Sequence, residues 1–162
     1  MTASTGTASP VTGSPVTAST GTITDIDVTR AVFGAFACGD LAALGDLLHA
    51  DATWHHHNDD RFGGIHRGAD AIIAYLTESV LLTSGTLHAE PRSVMADGQG
   101  HVAVLVRLSA SRPDGRTTDG PQVVLVTVEG GRVRAIEQFV GDPAAVAVLG
   151  LTPYRKRRGA RS

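Results

Sequence analysis

The stretch Gln122–Val140, QVVLVTVEGGRVRAIEQFV, consists of two runs rich in β-branched and other apolar residues on either side of the sequence EGG at 129–131. Runs of this composition favour β-strands, and adjacent glycines supply the positive φ angles that a tight hairpin turn requires. The stretch therefore predicts an antiparallel hairpin whose strands cover about 116–128 and 132–140.

Two more strands are predicted immediately before this hairpin, over about 86–96 and 101–110. The sequence DG at 97–98 separates these two strands, and the sequence PDG at 113–115 separates the second of them from the hairpin. Both are typical turn sequences. The second half of the chain is therefore predicted to be a meander of four antiparallel strands.

The first half of the chain shows the spacing of amphipathic helices. A first helix is predicted to begin after Thr24 or Asp25 and to stop at Gly39, and Asp40 is the expected N-cap of a second helix, LAALGDLLH, over 41–49.

A third helix is predicted over about 69–82, where apolar residues recur with helical spacing. The sequence ATWHHH at 52–57 is typical of a short strand, and residues 58–64 are typical of a polar loop. Three helices with one strand among them, followed by a meander, define an α+β fold.

The predicted sheet is apolar on both of its faces. Side chains alternate across a strand, so residues 102, 104 and 106 lie on one face, and residues 103 and 105 on the other; all five are Val, Ala or Leu. The helices suffice to cover only one face. We therefore expect the second face to be buried in a homodimer.

Composition divides the chain into three segments. Residues 1–22 consist almost entirely of small, uncharged residues and are predicted to be disordered, because they cannot bury enough apolar surface to offset their ordering entropy. The domain is predicted to cover 23–152, and 153–162 to form a basic, disordered tail.

Charge and hydropathy exclude several functional classes. Five of the fourteen basic residues lie in the last eight positions, which leaves nine basic against sixteen acidic residues in the rest of the chain. Such an acidic body is a poor binder of nucleic acid. The chain shows neither an apolar run of the length that a membrane helix needs nor a secretory signal. We expect a cytoplasmic protein without nucleic-acid or membrane partners, and its single cysteine excludes an intrachain disulfide.

Four segments together resemble the SnoaL-like group of the nuclear transport factor two-like superfamily. They are VFGAFACGDLAALGDLLHADATWHHH, GIHRGADAIIAYL, GHVAVLVRLSASRPDGRT and VVLVTVEGGRVRAIEQFVGDPAA, and the resemblance covers about 30–145. It implies a cone-shaped α+β barrel in which three helices pack on a curved, mixed, mostly antiparallel sheet, with a pocket at the open end. Relatives include polyketide cyclases, ketosteroid isomerases, limonene epoxide hydrolases and members without known activity, so the fold alone does not define the function.

The three consecutive histidines, His55, His56 and His57, cannot bind one metal ion together while this segment stays extended, because alternation places His56 on the opposite face. His55 and His57 can share an ion, but two ligands are too few. Asp59 and Asp60 can complete such a site only if the loop folds back. We therefore expect neither a metal nor a cofactor.

His56 is the candidate catalytic residue, and Trp54 lies on the same face as a candidate substrate-binding residue. The resemblance places His56 where ketosteroid isomerases carry their proton-abstracting carboxylate. An imidazole, with an ordinary pKa of about 6.5, suits general acid–base chemistry at neutral pH. The alternative is a histidine that only forms hydrogen bonds in a polar pocket.

The same placement assigns four more residues. Arg107 and Gln138 fall where epoxide hydrolases of this fold carry catalytic carboxylates, and both are predicted to hold an oxyanion. Gln122 and Tyr75 are predicted to bind substrate. For Arg107 two alternatives stay open: it pairs with Glu90, Asp119 or Glu137 at the sheet edge, or a slip of one residue turns it outward.

The function expected from these residues is proton transfer next to a carbonyl in an apolar, polyketide-like small molecule, leading to cyclisation, isomerisation or dehydration. The epoxide-hydrolase mechanism is not expected, because an arginine and two amides replace its acids. The alternative is a non-catalytic ligand-binding or dimeric scaffold domain. A cavity below about 300 Å³ would favour the alternative, since it cannot enclose a substrate of this class.

Overall fold

A computed structural model describes residues 24–57 and 63–142 of the 162-residue chain. The predictions of disorder for 1–22 and 153–162, and the domain boundary at 152, lie outside the described residues. Within the described residues, no helix combines the length and the apolar character that crossing a membrane would require.

Residues 24–57 and 63–142 contain three helices, as predicted: α1 (Asp25–Ala37), α2 (Leu41–Asp46) and α3 (Ala69–Leu82). Helix α1 begins with a capping box in which the Thr24 hydroxyl accepts a hydrogen bond from the backbone N–H of Asp27 at 3.2 Å. Asp40 caps α2 by accepting from the backbone N–H of Ala43 at 2.9 Å.

Helix α2 is shorter than predicted, because Leu48 already belongs to a strand. Leu48 pairs with Val133, and both side chains are buried, so tertiary packing overrides the helical propensity of the leucine-rich sequence. Cys38 is exposed at the end of α1.

In the described part of the chain, six strands form one mixed, curved and unclosed sheet. Their order across the sheet is β2-β1-β6-β5-β4-β3, and every neighbouring pair is antiparallel except β1 and β6, which are parallel. The strands are β1 (Leu48–His56), β2 (Gly64–Arg67), β3 (His88–Ala96), β4 (His101–Ser111), β5 (Thr117–Glu129) and β6 (Arg132–Val140).

The predicted meander of β3 to β6 is therefore confirmed, with strand ends that differ by at most two residues. Strand β2 was not predicted, because its four residues lie next to a polar loop and lack a clear alternation of apolar residues.

The helices cover one face of the sheet, which we call the inner face. Its valines and Ile136 pack with the helices into a single core in which Ile72 of α3 is fully buried. The other face, which we call the outer face, exposes Leu105, Val123 and Leu125 at 40–41% of their surface. The predicted alternation of β4 is thus confirmed, and the fold is the α+β architecture expected from the sequence.

The turn between β3 and β4 yields the first prediction. Gly98 and Gly100 both have positive φ angles, but a Cβ at Gly100 would lie 2.8 Å from the backbone oxygen of Val128, whereas a Cβ at Gly98 would meet no neighbour. Each substitution to alanine should lower the free energy of unfolding by about 1–2 kcal/mol, because a residue with a Cβ is strained in left-handed backbone. Gly100→Ala should lower the free energy of unfolding, measured with urea, by about 1–3 kcal/mol more, because β5 must shift to make room. Equal losses in the two variants would contradict the close approach of this turn to β5.

Candidate functional site

A cavity of about 110 Å³, partly open to solvent, lies between the inner face and the helices. Its wall is mainly apolar, and among the described residues that line it none is Asp, Glu, Lys or Arg. The polar or aromatic-polar side chains in the wall are those of Trp54, His56, Tyr75, Ser79, Thr83, Gln122 and Gln138. Five of the six predicted site residues therefore meet in one cavity.

Strand β1 places Trp54 and His56 in the cavity wall, because residues two apart in a strand share a face. In the parallel register with β6, Trp54 lies beside Ile136 and His56 beside Gln138. The backbone N–H of His57 donates to the backbone oxygen of Gln138 at 3.2 Å, which anchors the register at this point. The His56 side chain is only 4% exposed, so the imidazole is shielded from bulk water.

Three of the wall side chains form a hydrogen-bonded relay, which we call the amide relay. The Trp54 indole Nε1 donates to Gln138 Oε1 at 3.0 Å, and Gln138 Nε2 donates to Gln122 Oε1 at 2.6 Å. An indole N–H can only donate, so it determines which end of the Gln138 amide faces it. The orientation of Gln138 determines that of Gln122 in turn.

The amide relay gives the polar part of the cavity a definite chemical character. Its two amide oxygens are engaged within the relay, whereas the N–H groups of Gln122 lie outside it. Both glutamines are buried, at 4% and 8% exposure. A buried donor gains most from a ligand that brings an acceptor. The cavity is therefore suited to a carbonyl or enolate oxygen.

Tyr75 of α3 joins the aromatic part of the wall. Its ring packs edge to face on Trp54 with centroids 5.6 Å apart, stacks on His66 at 4.3 Å and lies 6.3 Å from the His56 ring. These contacts hold the indole and the imidazole in place from the helix side. Tyr75 is thus positioned where the sequence predicted it.

Arg107 does not lie in the cavity, contrary to the prediction that it holds an oxyanion. Val106 is buried on the inner face, so its neighbour Arg107 projects from the outer face. Its Nε and Nη2 atoms donate to the Asp119 carboxylate at 2.7 and 2.5 Å. Hydrogen bonding to Arg107 lowers the pKa of Asp119 below its ordinary value. Arg107 thus forms an exposed ion pair with Asp119, which is one of the alternatives that the sequence left open.

Two polar residues of the wall, Ser79 and Thr83, were not predicted from the sequence. They follow Tyr75 at intervals of four residues on α3, so helical periodicity from Tyr75 was the signal available. The Ser79 hydroxyl donates to the Tyr75 backbone oxygen at 2.9 Å, and the Thr83 hydroxyl donates to the Ser79 backbone oxygen at 2.9 Å. Their donors are used within the helix, so neither hydroxyl offers its proton to a ligand in the cavity.

The cavity is smaller than the sequence led us to expect. Its volume is about 110 Å³, whereas a cavity that encloses a polyketide-like molecule needs about 300 Å³. A cavity of about 150 Å³ in another protein holds benzene. This cavity, which is smaller, therefore accommodates at most one ring, and the remainder of a larger ligand would have to project outward.

Solved structures with the same architecture define the class of fold. A protein named Bal32a, from a soil-derived mobile gene cassette, is 28% identical, with a TM-score of 0.72 over 75% of this chain and 92% of its own. A nuclear transport factor two-like protein from Burkholderia xenovorans is 23% identical, with a TM-score of 0.64 over 76% and 92%. A candidate polyketide cyclase from Sinorhizobium meliloti is 25% identical, with a TM-score of 0.58 over 69% and 93%. The fold is that of the nuclear transport factor two-like proteins.

Sequence comparison narrows this class to one family. The profile of the SnoaL-like domain matches residues 29–136. An uncharacterized protein from Mycobacterium tuberculosis is 36% identical over 121 residues, which cover 75% of this chain and 92% of that protein. The chain belongs to the SnoaL-like domain family, as its sequence resemblance implied.

The amide relay yields the second prediction, tested by a double-mutant cycle. Trp54→Phe keeps an aromatic ring but leaves the Gln138 oxygen buried without its donor, so the free energy of unfolding should fall by about 1–3 kcal/mol. In a Gln138→Met background, Trp54→Phe should lower the free energy of unfolding clearly less, because the acceptor oxygen is already absent. Urea unfolding of the four proteins gives the coupling energy. Additive costs would show that the hydrogen bond between Trp54 and Gln138 contributes nothing to stability.

Proposed function

We propose that this protein binds the carbonyl-bearing end of a small apolar molecule and transfers a proton at the carbon next to that carbonyl, without a cofactor. The observation that carries the proposal is the buried imidazole of His56 beside an amide relay that offers donors, in an otherwise apolar wall. This combination supplies a base and stabilises negative charge on oxygen.

In the proposed step, His56 accepts the proton from the carbon next to the carbonyl. The electron pair of the broken C–H bond moves toward the carbonyl, and the oxygen becomes an enolate oxygen. The donors of Gln122, oriented by Gln138 and Trp54, stabilise that oxygen through hydrogen bonds that strengthen as charge develops. Return of the proton at another carbon gives isomerisation, attack by the enolate carbon on a second carbonyl gives cyclisation, and loss of hydroxide gives dehydration.

The substrate class follows from the size and polarity of the cavity. One ring of an oxygenated apolar compound fills about 110 Å³ and meets mostly aliphatic and aromatic side chains. Similarity to a candidate polyketide cyclase supports a substrate that carries several carbonyl groups. A larger polyketide-like molecule would place only its reacting ring in the cavity.

The competing function is a non-catalytic domain that binds a ligand in the same cavity. The small volume favours it, as does the lack of acidic side chains among the described residues of the wall. The two functions differ in one respect: a pure binding domain leaves the C–H bonds of its ligand intact.

Isotope exchange gives the third prediction and does not require knowledge of the final product. In D₂O, a base that removes protons next to a carbonyl exchanges them for deuterium, which NMR detects in a panel of cyclic ketones and 1,3-diketones. His56→Ala should slow the protein-catalysed exchange by about 100-fold or more, since a general base contributes about 10²–10⁴-fold. His88→Ala, at an exposed position of β3, is the matched control and should exchange normally.

Two results would contradict the proposal. If His56→Ala exchanged protons at the same rate as the unaltered protein, the imidazole would have no role in the mechanism. Saturable binding of the ketones without any exchange in the unaltered protein would identify a binding domain.

We also propose that the protein forms a homodimer through the outer face. Leu105 of β4 lies directly opposite Val123 of β5, which lies opposite Phe139 of β6, so exposed apolar side chains cross three strands in one row. Monomeric proteins seldom leave a continuous apolar row of this kind in water. A second copy of the same row is the simplest partner, because a two-fold interface uses one patch twice.

The fourth prediction concerns this row. Val123→Lys should shift the protein toward the monomer in sedimentation velocity, because a charge in the interface would be buried without a partner. Leu81→Lys alters an apolar residue on α3 that is even more exposed and lies away from the outer face, and it should leave the oligomeric state unchanged. A monomer before any substitution would rule out the dimer.

A further inference from the structure

Three side chains with metal-ligating atoms meet on the outer face where β1 pairs with β6. His55 and His57 lie two residues apart on β1 and project to the same side, and Glu137 of β6 is the direct register partner of His55. The candidate ligand atoms of the three residues all lie within 4.8 Å of one another. The fold thus brings together ligands from positions 55, 57 and 137, which are far apart in the sequence.

Contacts within this group hold the side chains in position. The rings of His55 and His57 are 3.6 Å apart between centroids, and the ring of His57 stacks on Phe139 at 4.4 Å with an angle of 10° between the ring planes. His57 Nε2 lies 3.0 Å from Glu137 Oε2. The three groups therefore point at a common position and not into separate regions of solvent.

We propose that His55, His57 and Glu137 bind a divalent transition-metal ion of the zinc type. Bonds of about 2.0–2.2 Å in a tetrahedral site hold ligand atoms about 3.4 Å apart, so small rotations of these accessible side chains bring them to the required spacing. Two imidazoles and one carboxylate suit Zn²⁺, Co²⁺, Ni²⁺ or Cu²⁺, whereas Ca²⁺ and Mg²⁺ require mainly oxygen ligands. Three protein ligands leave a fourth position for water.

This site is separate from the cavity. His56, between the two ligand histidines, faces the inner side of the sheet, so the ion would lie on the opposite face from the proposed proton transfer. The ion would connect β1 to β6, the one parallel junction of the sheet. An ion that binds only the folded state adds to the stability of that state. Metal binding should therefore raise the unfolding temperature.

A simple hydrogen-bonded pair between His57 and Glu137 is the competing explanation for this cluster. The two explanations predict different behaviour for His55→Ala. That substitution removes one ligand but leaves the contact between His57 and Glu137 in place, so it changes metal affinity without breaking the pair.

The test is a titration of the full chain, free of any histidine tag, with Zn²⁺ in a calorimeter and with Co²⁺ by visible absorption. One ion should bind per chain, and the Co²⁺ bands should have the intensity of four-coordinate cobalt. His55→Ala and Glu137→Gln should each weaken binding by about tenfold or more, since loss of even an outer partner of a metal ligand costs about 10–100-fold. His101→Ala is the matched control, because His101 pairs with Asp97 at 2.7 Å on an exposed turn, and it should bind normally.

Circular dichroism without metal checks that each variant is folded. Absence of saturable binding in the unaltered protein would overturn the proposal. Equal affinity in the unaltered protein and in folded His55→Ala would do so as well.

Discussion

The parallel pairing of β1 with β6 is the contact on which the rest of the structure depends. It joins a strand from the helical half of the chain to the last strand of the meander, and its register decides which side chains meet. On the inner face it brings His56 beside Gln138, and on the outer face it brings His55 beside Glu137. A slip of one residue would exchange the faces of all these side chains, so the cavity chemistry and the proposed metal site depend on the same backbone hydrogen bonds.

Within the cavity, the donor-only indole of Trp54 determines the chemistry of its neighbours. A glutamine side chain alone can present either an oxygen or an N–H group to a ligand. Here the indole orients Gln138, and Gln138 orients Gln122. The cavity therefore combines one imidazole with neutral donors, and the fixed positive charge of Arg107 belongs to an ion pair on the outer face.

Much of the fold could be predicted from local sequence, because capping residues, helical spacing and glycine-containing turns act over a few positions. Thr24 and Asp40 mark their helices for this reason, and alternation along β4 separated the residues of its two faces. The errors arose where distant parts of the chain decide the outcome. Pairing of Leu48 with Val133 shortens α2, and β2 exists only through its pairing with β1.

The same distinction explains the site. Trp54 and His56 follow from alternation within one strand, but neither the amide relay nor the meeting of Glu137 with two histidines can be derived without knowing which strands are neighbours. Arg107 was misplaced because both faces of its strand are largely apolar, so composition did not distinguish them; the burial of Val106 does.

The central claim is that the cavity offers hydrogen-bond donors to an acceptor oxygen beside His56. Trp54 is the only tryptophan of the chain and lies in the wall, so its fluorescence reports binding directly. The most direct measurement compares cyclohexanone with methylenecyclohexane, which has nearly the same shape but no acceptor, in the unaltered protein and in Gln122→Met. We predict that the affinity ratio of ketone to alkene falls by about fivefold in Gln122→Met, which corresponds to one net hydrogen bond of about 1 kcal/mol. An identical ratio in the two proteins would contradict the claim.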